Sequence, residues 1–229
     1  MNDFHALLAA QPVASPLPFD LNAEAVTVLR LSNEHLQGSG FDPGDTPAFS
    51  AFVEAEIRRH VARYAAGGYA ENRLLYQMSP LFKSADAEPR TLHLGIDLWL
   101  GAGTAIHAVL GGTVHSTQDN TAFGDYGPTL ILEHHIEGER FFTLYGHLAQ
   151  PTLQQTKPGQ RIETGALLGW LGASHENVGW PPHLHFQVIR DLGGRSGDYP
   201  GSCRPSEAAG WLANCPDPNL LLRIRALES

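Results

Sequence analysis

The sequence is poor in several features that define broad classes of protein. Only two of its 229 residues are cysteines, so it cannot build a disulfide framework, and the redox compartment stays open. Acidic side chains outnumber basic ones by 24 to 15, which gives a net charge of −9 and argues against nucleic acid or anionic lipid as a partner. No run approaches the roughly 18 apolar residues of a membrane span. The first residues show no basic segment followed by an apolar one, as an export signal would. We therefore expect no nucleic-acid or membrane partner and a cytoplasmic location.

Histidine, in contrast, is abundant. The chain has 12 histidines against 15 lysines and arginines together, and nine of the 12 fall between residues 93 and 185. A length of 229 residues with 42% hydrophobic composition is enough for one domain, or two small ones, with a true core. The histidines of that middle region are therefore the first place to look for chemistry.

The chain divides by composition into three parts. Residues 1–89 are predicted to be a largely irregular lead-in with one helix at about 46–66, capped by Asp45 or Thr46 and ended by Gly67 and Gly68. Residues 90–190 are predicted to form the core, and residues 191–229 a tail that packs on it. The expected apolar face of the helix consists of Phe49, Phe52, Val53, Ile57, Val61 and Tyr64.

Short β-like runs fill the middle part, with glycines between them. Many short strands with turn signals favour a mainly β fold with an antiparallel core, and Glu137-Gly138-Glu139 is typical of a hairpin turn. The predicted strands lie within 92–98, 104–110, 112–118, 128–134, 140–146, 166–171 and 183–189.

His93 and Asp97 are a first candidate half-site. In an extended strand a spacing of four places both side chains on one face, with Gly95 between them leaving room for a bound group. An imidazole and a carboxylate side by side suit a borderline metal such as zinc. Taken alone the pattern is weak, because surface pairs of this kind also arise by chance.

The second half-site is His183 and His185, which share one face of a strand with Gln187. Same-face neighbours lie about 6.6 Å apart along a strand, so both histidines could approach one metal, and spacing does not decide whether one or both are ligands. His147 follows a third β run directly after Gly146.

Together these elements contain the parts of a hydrolytic metal site. Two histidines and a carboxylate leave a coordination position open on zinc, as catalytic sites require. Two further histidines could act as general base and as stabiliser of a developing oxyanion. The set predicts metal-assisted hydrolysis.

The ordered motifs resemble those of the lysostaphin-type (LytM-domain) zinc metallopeptidases. The resemblance covers residues 90–190 and rests on HLGID (93–97), GTAIHA (103–108), GGTV (111–114), YGHL (145–148), PGQ (158–160), LGWLG (168–172) and PHLHF (182–186). It implies the duplicated hybrid motif fold, a barrel-sandwich-like antiparallel core with a narrow groove, and cleavage of glycine-containing or peptidoglycan-type peptides in a bacterium.

Carried over position by position, the resemblance implies one catalytic Zn²⁺ held by His93, Asp97 and His185. It implies that His147 and His183 are the catalytic pair. The remaining histidines are interpreted as structural or surface residues.

Two departures from the family pattern leave alternatives open. The stretch 173–181 before PHLHF is longer and bulkier than usual, and the expected export signal is missing. The lead-in at 73–76 and the tail motifs around Cys203 and Cys215 resemble, more faintly, a subset fused to aminotransferases, which implies an aminotransferase-linked pathway partner. The alternatives are a metal-binding or partner-recognition domain without catalysis, and a cytosolic amide hydrolase acting on a non-wall substrate.

Overall fold

The computed structural model describes residues 3–36, 45–73 and 88–228. The helices are α1 (Asp3–Ala10), α2 (Asn33–Leu36), α3 (Thr46–Arg59), α4 (Pro151–Gln155), α5 (Ala208–Asn214) and α6 (Asn219–Leu222). The strands are β1 (Val26–Val28), β2 (Tyr64–Gly67), β3 (Leu92–His93), β4 (Ile96–Trp99), β5 (Ala105–His107), β6 (Gly112–Asn120), β7 (Gly127–Ile136), β8 (Glu139–Gly146), β9 (Arg161–Ile162), β10 (Leu167–Trp170), β11 (His183–Ile189) and β12 (Ser202–Cys203). In the part of the chain so described, no helix is both long and apolar enough to cross a bilayer.

One eight-stranded sheet organises the molecule, in the order β1-β2-β4-β11-β8-β7-β6-β9. The pairings from β2 to β9 are antiparallel, whereas β1 and β2 run parallel. Two small antiparallel pairs, β5 with β10 and β3 with β12, lie beside it. Mainly β structure with an antiparallel core and an N-terminal helical part is thus confirmed.

The alternation of side chains along β11 divides the apolar residues from the polar ones. Leu184, Phe186 and Val188 are fully buried in the largest apolar cluster, together with Ile96 and Leu98 of the neighbouring β4. The residues between them, His183, His185 and Gln187, point to the opposite face, as the period of two requires. The core therefore fixes the orientation of the polar row.

The hairpin of β7 and β8 turns where the sequence predicts. Ile136 pairs with Glu139, and the two residues between them, Glu137 and Gly138, have φ of +51° and +84°. Two positive φ values are typical of the tight turns that match the twist of a hairpin.

The N-terminal part is more ordered than expected. Within residues 3–36, the elements α1, β1 and α2 lie where the sequence predicts no particular helix or strand. Helix α3 begins as predicted, with the Asp45 side chain accepting a hydrogen bond from the Ala48 amide and Pro47 in the first turn, but it ends at Arg59 rather than near 66. Val61 then adopts φ of +50° and is 85% exposed, so it is not part of the apolar face.

Residues 64–67, predicted to lie at or next to the end of the helix, instead form a strand of the main sheet. They form β2, which lies between β1 and β4, and Tyr64 is fully buried there. Pairing with β1, nearly forty residues earlier, outweighs the local helical spacing.

The predicted strand over 92–98 is in fact two strands. β3 pairs with β12, and β4 pairs with β11, with a break at Leu94 and Gly95. Gly95 does not hold space for a ligand: a Cβ there would lie 2.5 Å from Cε1 of His185, so the glycine makes room for that ring.

Candidate metal centre

Strand register brings the two predicted half-sites together. His185 of β11 pairs with Asp97 of β4 on one side and with Gly146 of β8 on the other. His93 reaches the same point from β3. His93, Asp97 and His185 are each at most 2% exposed, and their candidate ligand atoms lie within 4.8 Å of one another.

Backbone contacts assign the tautomer of His93. Its Nδ1 lies 2.9 Å from the carbonyl oxygen of Gly68, which can only accept, so Nδ1 carries the proton and Nε2 carries a lone pair. Burial, and next the charge of Arg73, lower the pKa of His93 to about 4. The ring is therefore neutral at pH 7, as a metal ligand must be.

His185 is oriented in the same way by Gln187. The Nε2 of His185 lies 2.9 Å from Oε1 of Gln187, whose amide nitrogen donates to the Pro200 carbonyl at 3.2 Å and to Sγ of Cys215 at 3.3 Å. Because the amide nitrogen is committed elsewhere, the amide oxygen accepts from Nε2, and Nδ1 of His185 is left with a lone pair.

These two lone pairs converge with a carboxylate oxygen. Nε2 of His93 and Nδ1 of His185 are 2.9 Å apart, and Oδ1 of Asp97 lies 3.4 Å and 3.1 Å from them. With both imidazole protons committed outward, three electron-pair donors face one another without a proton between them. Ligands about 2.0–2.1 Å from a tetrahedral zinc would be about 3.3 Å apart, so the donor set fits such an ion.

Arg73 holds the other oxygen of Asp97. Its Nη1 donates to Oδ2 at 2.6 Å, and the guanidinium is only 2% exposed. Burial opposes ionisation of Asp97, but the charge of the Arg73 guanidinium favours the carboxylate and holds its pKa below the usual range. The carboxylate is therefore charged at neutral pH.

His183 lies beside the three donors. Its Nδ1 donates to the carbonyl of Pro181 at 2.7 Å, so Nε2 is unprotonated, and this atom is 3.9 Å from Oδ1 of Asp97. The ring stacks on Trp99 at 5.7 Å between centroids. Burial lowers its pKa, which keeps the ring neutral.

His147 completes the group on the far side of His183. The two rings are 4.1 Å apart between centroids, and His147 is 5% exposed. Its Nδ1 is buried and has no hydrogen-bond partner among the described residues. Burial holds the pKa of His147 well below its usual range.

The backbone of His147 is strained. Its φ is +61°, uncommon for a residue with a Cβ, and hydrogen bonds from its amide to Tyr126 and to its carbonyl from Gly172 fix it there. This conformation, directly after the end of β8, places the imidazole at the site.

A pocket of about 140 Å³ opens over these residues. That is near the roughly 150 Å³ of engineered cavities that admit a benzene ring, so it fits a side chain or a short chain segment. Residues before and after the segment 90–190 both contribute to the wall of the pocket. Apart from the five residues just described, the lining includes Leu31, Phe49, Trp99, Tyr126, Trp180, Tyr199 and Gly201.

The five residues singled out in the sequence thus lie together, with His147 and His183 beside the three converging donors. Three further residues at the site were not predicted to be site residues. Arg73 binds Asp97, Gln187 orients His185, and the Tyr126 hydroxyl lies 3.4 Å from Nε2 of His185. The alternation along β11 signals Gln187, but nothing local signals Arg73, which is 24 residues from Asp97.

Comparison with known proteins gives one family match. Residues 91–197 match the model of peptidase family M23, and no curated protein matches the chain. A Pseudomonas aeruginosa protein assigned to peptidase M23 is 25% identical over 57% of this chain and 43% of that one, with a TM-score of 0.37. A zinc-containing peptidase from Vibrio cholerae is 24% identical over 47% and 30%, with a TM-score of 0.35.

The catalytic domain of lysostaphin from Staphylococcus simulans is 19% identical over 69% of this chain and 94% of that one, with a TM-score of 0.41. This chain spans less than half the length of the first two proteins. All three TM-scores are below 0.5, so the similarity to the family consists of the match over residues 91–197.

Proposed function

We propose that the protein is a zinc-dependent metalloendopeptidase, a proposal that the match of residues 91–197 to peptidase family M23 supports. His93, Asp97 and His185 would hold the zinc, and His147 and His183 would carry the proton transfers. The substrate class proposed is a glycine-containing or peptidoglycan-type peptide.

One observation carries the proposal. Two imidazoles, each with one N–H donated to an oxygen outside the cluster, turn their other ring nitrogens toward each other and toward a charged carboxylate within 3.4 Å. Such an arrangement is unfavourable without a cation, because the donors repel one another. Two nitrogens and one oxygen are also a donor set that zinc prefers, and three protein ligands leave a position for chemistry.

Zinc, when bound there, supplies a Lewis acid that polarises the scissile carbonyl and makes water more acidic. His183 is suited to be the general base. Its Nε2 is unprotonated, faces the donor cluster and belongs to a ring whose pKa is lowered by burial. As water attacks the carbonyl carbon, Nε2 of His183 can take the proton that water loses.

His147 is suited to stabilise the tetrahedral intermediate and to help return the proton. The C–N bond breaks as the proton passes to the amine nitrogen, so one water is consumed and a carboxylate and an amine are produced. The 4.1 Å separation of the two rings allows both to reach the same reacting group.

The walls of the pocket favour a short substrate over an intact polymer. Phe49 of α3 contacts Trp180 at 6.3 Å between ring centroids, and the Thr46 hydroxyl donates to the Gly179 carbonyl, so the N-terminal part is fastened to the loop before β11. On the other side, β12 fastens the C-terminal part to β3. Both contacts narrow the approach to the five residues.

The test is zinc content together with peptide hydrolysis. We expect one zinc per chain by elemental analysis, and cleavage of a soluble glycine-containing peptide or muropeptide that is lost on chelation and restored by zinc. Intact cell wall should be a poorer substrate than the soluble peptides. His147→Ala and His183→Ala should keep the zinc and lose about 10²- to 10⁴-fold in kcat.

His175→Ala is the matched control, because His175 is exposed in the loop before β11. Absence of zinc, or full activity in both catalytic variants, would refute the proposal. Stoichiometric zinc with no turnover of any peptide would favour the metal-binding or partner-recognition alternative.

A further inference from the structure

Arg73 lies outside the family-matched segment yet reaches into the metal centre. It is 2% exposed, and its guanidinium bridges two carboxylates: Nη1 donates to Oδ2 of Asp97 at 2.6 Å and Nε donates to Oε2 of Glu71 at 2.7 Å. An Arg fork of this kind fixes direction as well as charge.

Glu71 anchors the guanidinium to the N-terminal part of the chain. Its Oε1 accepts hydrogen bonds from the amides of Leu31, at 2.8 Å, and Ser32, at 3.1 Å. Its two oxygens therefore have separate partners, the backbone on one side and Arg73 on the other. A continuous set of contacts runs from residues 31–32 through Glu71 and Arg73 to Asp97.

Gly68 makes the approach of Arg73 possible. A Cβ at Gly68 would overlap Nη2 of Arg73 and lie 3.0 Å from Nδ1 of His93, and the residue has φ of +103°. The same glycine accepts the Nδ1 hydrogen bond of His93 through its carbonyl. The backbone of Arg73 is in turn held by Thr91, at 2.8 Å from amide to carbonyl.

The consequence falls on Asp97. A carboxylate can bind a metal through one oxygen or through both, and here Oδ2 is occupied by Arg73 while Oδ1 faces His93 and His185. Resting on the proposed metal centre, we propose that Arg73 is a positioning residue that presents Asp97 to zinc through Oδ1 alone.

This role differs from that of a structural ion pair. An ion pair that only stabilises the fold changes the unfolding temperature and leaves the metal unaffected. A positioning residue changes how tightly, and through how many oxygens, the metal is held. Metal affinity and metal spectroscopy separate the two roles without any measurement of hydrolysis.

The experiment compares the wild-type chain with Arg73→Gln, Arg73→Lys and Glu71→Gln. Zinc affinity is measured by competition with a chromophoric chelator, and the visible spectrum is recorded on the cobalt-substituted protein. We expect Arg73→Gln to bind zinc about 10- to 100-fold more weakly, as is typical when a partner of a metal ligand is removed.

In the cobalt protein, the released carboxylate can bind through both oxygens, so the visible absorption should weaken as the coordination number rises. Arg73→Lys keeps the positive charge but loses the forked donor geometry of arginine. Its zinc affinity and cobalt spectrum should therefore lie between those of the wild type and of Arg73→Gln. Glu71→Gln, which frees only the far end of the guanidinium, should show a smaller loss.

Arg58→Gln is the control, since Arg58 makes an exposed ion pair with Glu54 on α3. Unchanged zinc affinity and cobalt spectrum in Arg73→Gln, with a lower unfolding temperature, would overturn the positioning role and leave the proposed function standing. If Arg73→Gln does not fold, a wild-type affinity and spectrum in Arg73→Lys give the same negative answer. A wild-type chain that takes up neither metal overturns both proposals.

Discussion

The molecule buries histidine in two contrasting ways. Toward one end of β7, His134 is 1% exposed, its Nδ1 bonds to the Gly111 carbonyl at 2.9 Å and its Nε2 to the Thr143 hydroxyl at 2.8 Å. At the metal centre, His93 and His185 each satisfy one nitrogen in this way and turn the other toward a shared point.

Burial and pKa do not distinguish the two places. Burial lowers the pKa of His134 to about 4, as it does that of His93. The difference lies in the hydrogen-bond partners. Both ring nitrogens of His134 have a neutral partner, whereas His93 and His185 each direct one ring nitrogen toward the other. A buried histidine is therefore a functional candidate when one ring nitrogen lacks a donor or acceptor that suits it.

The largest expected effect separates the two places by metal content. His93→Ala and His185→Ala should each abolish stoichiometric zinc binding and lower peptide hydrolysis by about 10³-fold or more, because the Lewis acid is worth several kcal/mol. His134→Ala should bind one zinc and lower only the unfolding temperature. Elemental analysis of the three purified variants checks this, and loss of zinc in His134→Ala would contradict the comparison.

A second test uses pH and concerns stability. The folded pKa of His134 is about 4 and the ordinary value is 6.5, so the unfolded chain binds the proton first. The contribution of neutral His134 is therefore complete above pH 6.5 and is lost as the pH falls through 4. The difference of about 2.5 pKa units corresponds to about 3 kcal/mol in the free energy of unfolding.

His134→Gln removes that titration. The stability of wild type relative to this variant should fall by about that amount between pH 6.5 and 4, measured by urea unfolding at each pH. The neighbouring His135, which is exposed, supplies the control variant His135→Gln. A pH-independent difference between wild type and His134→Gln would contradict the assignment.

The smallest effect comes from a matched pair of glycines. A Cβ at Gly95 would lie 2.5 Å from the His185 ring, and one at Gly112 would lie 2.8 Å from Nδ1 of His134. Both Gly→Ala substitutions should cost about 1–3 kcal/mol of stability through crowding. Only Gly95→Ala should also weaken zinc binding, as measured by chelator competition.

Gly101→Ala, where a Cβ meets nothing within 4 Å, is the neutral control. Equal zinc affinity in Gly95→Ala and Gly112→Ala would show that the position of the His185 ring does not govern metal binding.

Local patterns predicted the parts of this molecule that local interactions decide. The start of α3 follows from its Asp45 cap, the hairpin from Glu137 and Gly138, and the common face of His183 and His185 from strand periodicity. Adding the family resemblance placed all five residues of the candidate centre on one list before their geometry was known.

Contacts between distant parts of the chain were not predictable in this way. The helical spacing of apolar residues continues past residue 59, but residues 64–67 pair with β1 and form a strand. Alternation continues through Gly95, but packing of the His185 ring and pairing of Leu92 and His93 with the C-terminal part divide the strand. Arg73 has no periodic signal, and the faint resemblance of residues 73–76 does not indicate its partner, because that partner depends on the closed sheet.

The position of β2 links the family-matched segment to the residues that precede it. Strand β4, which carries Asp97, lies between β11 and β2, and β2 belongs to residues that precede the family-matched segment. A chain trimmed to residues 91–197 would leave β4 as an unpaired sheet edge, open to association with other chains. The boundary of the family-matched segment is thus not a boundary at which the sheet can be cut without exposing β4.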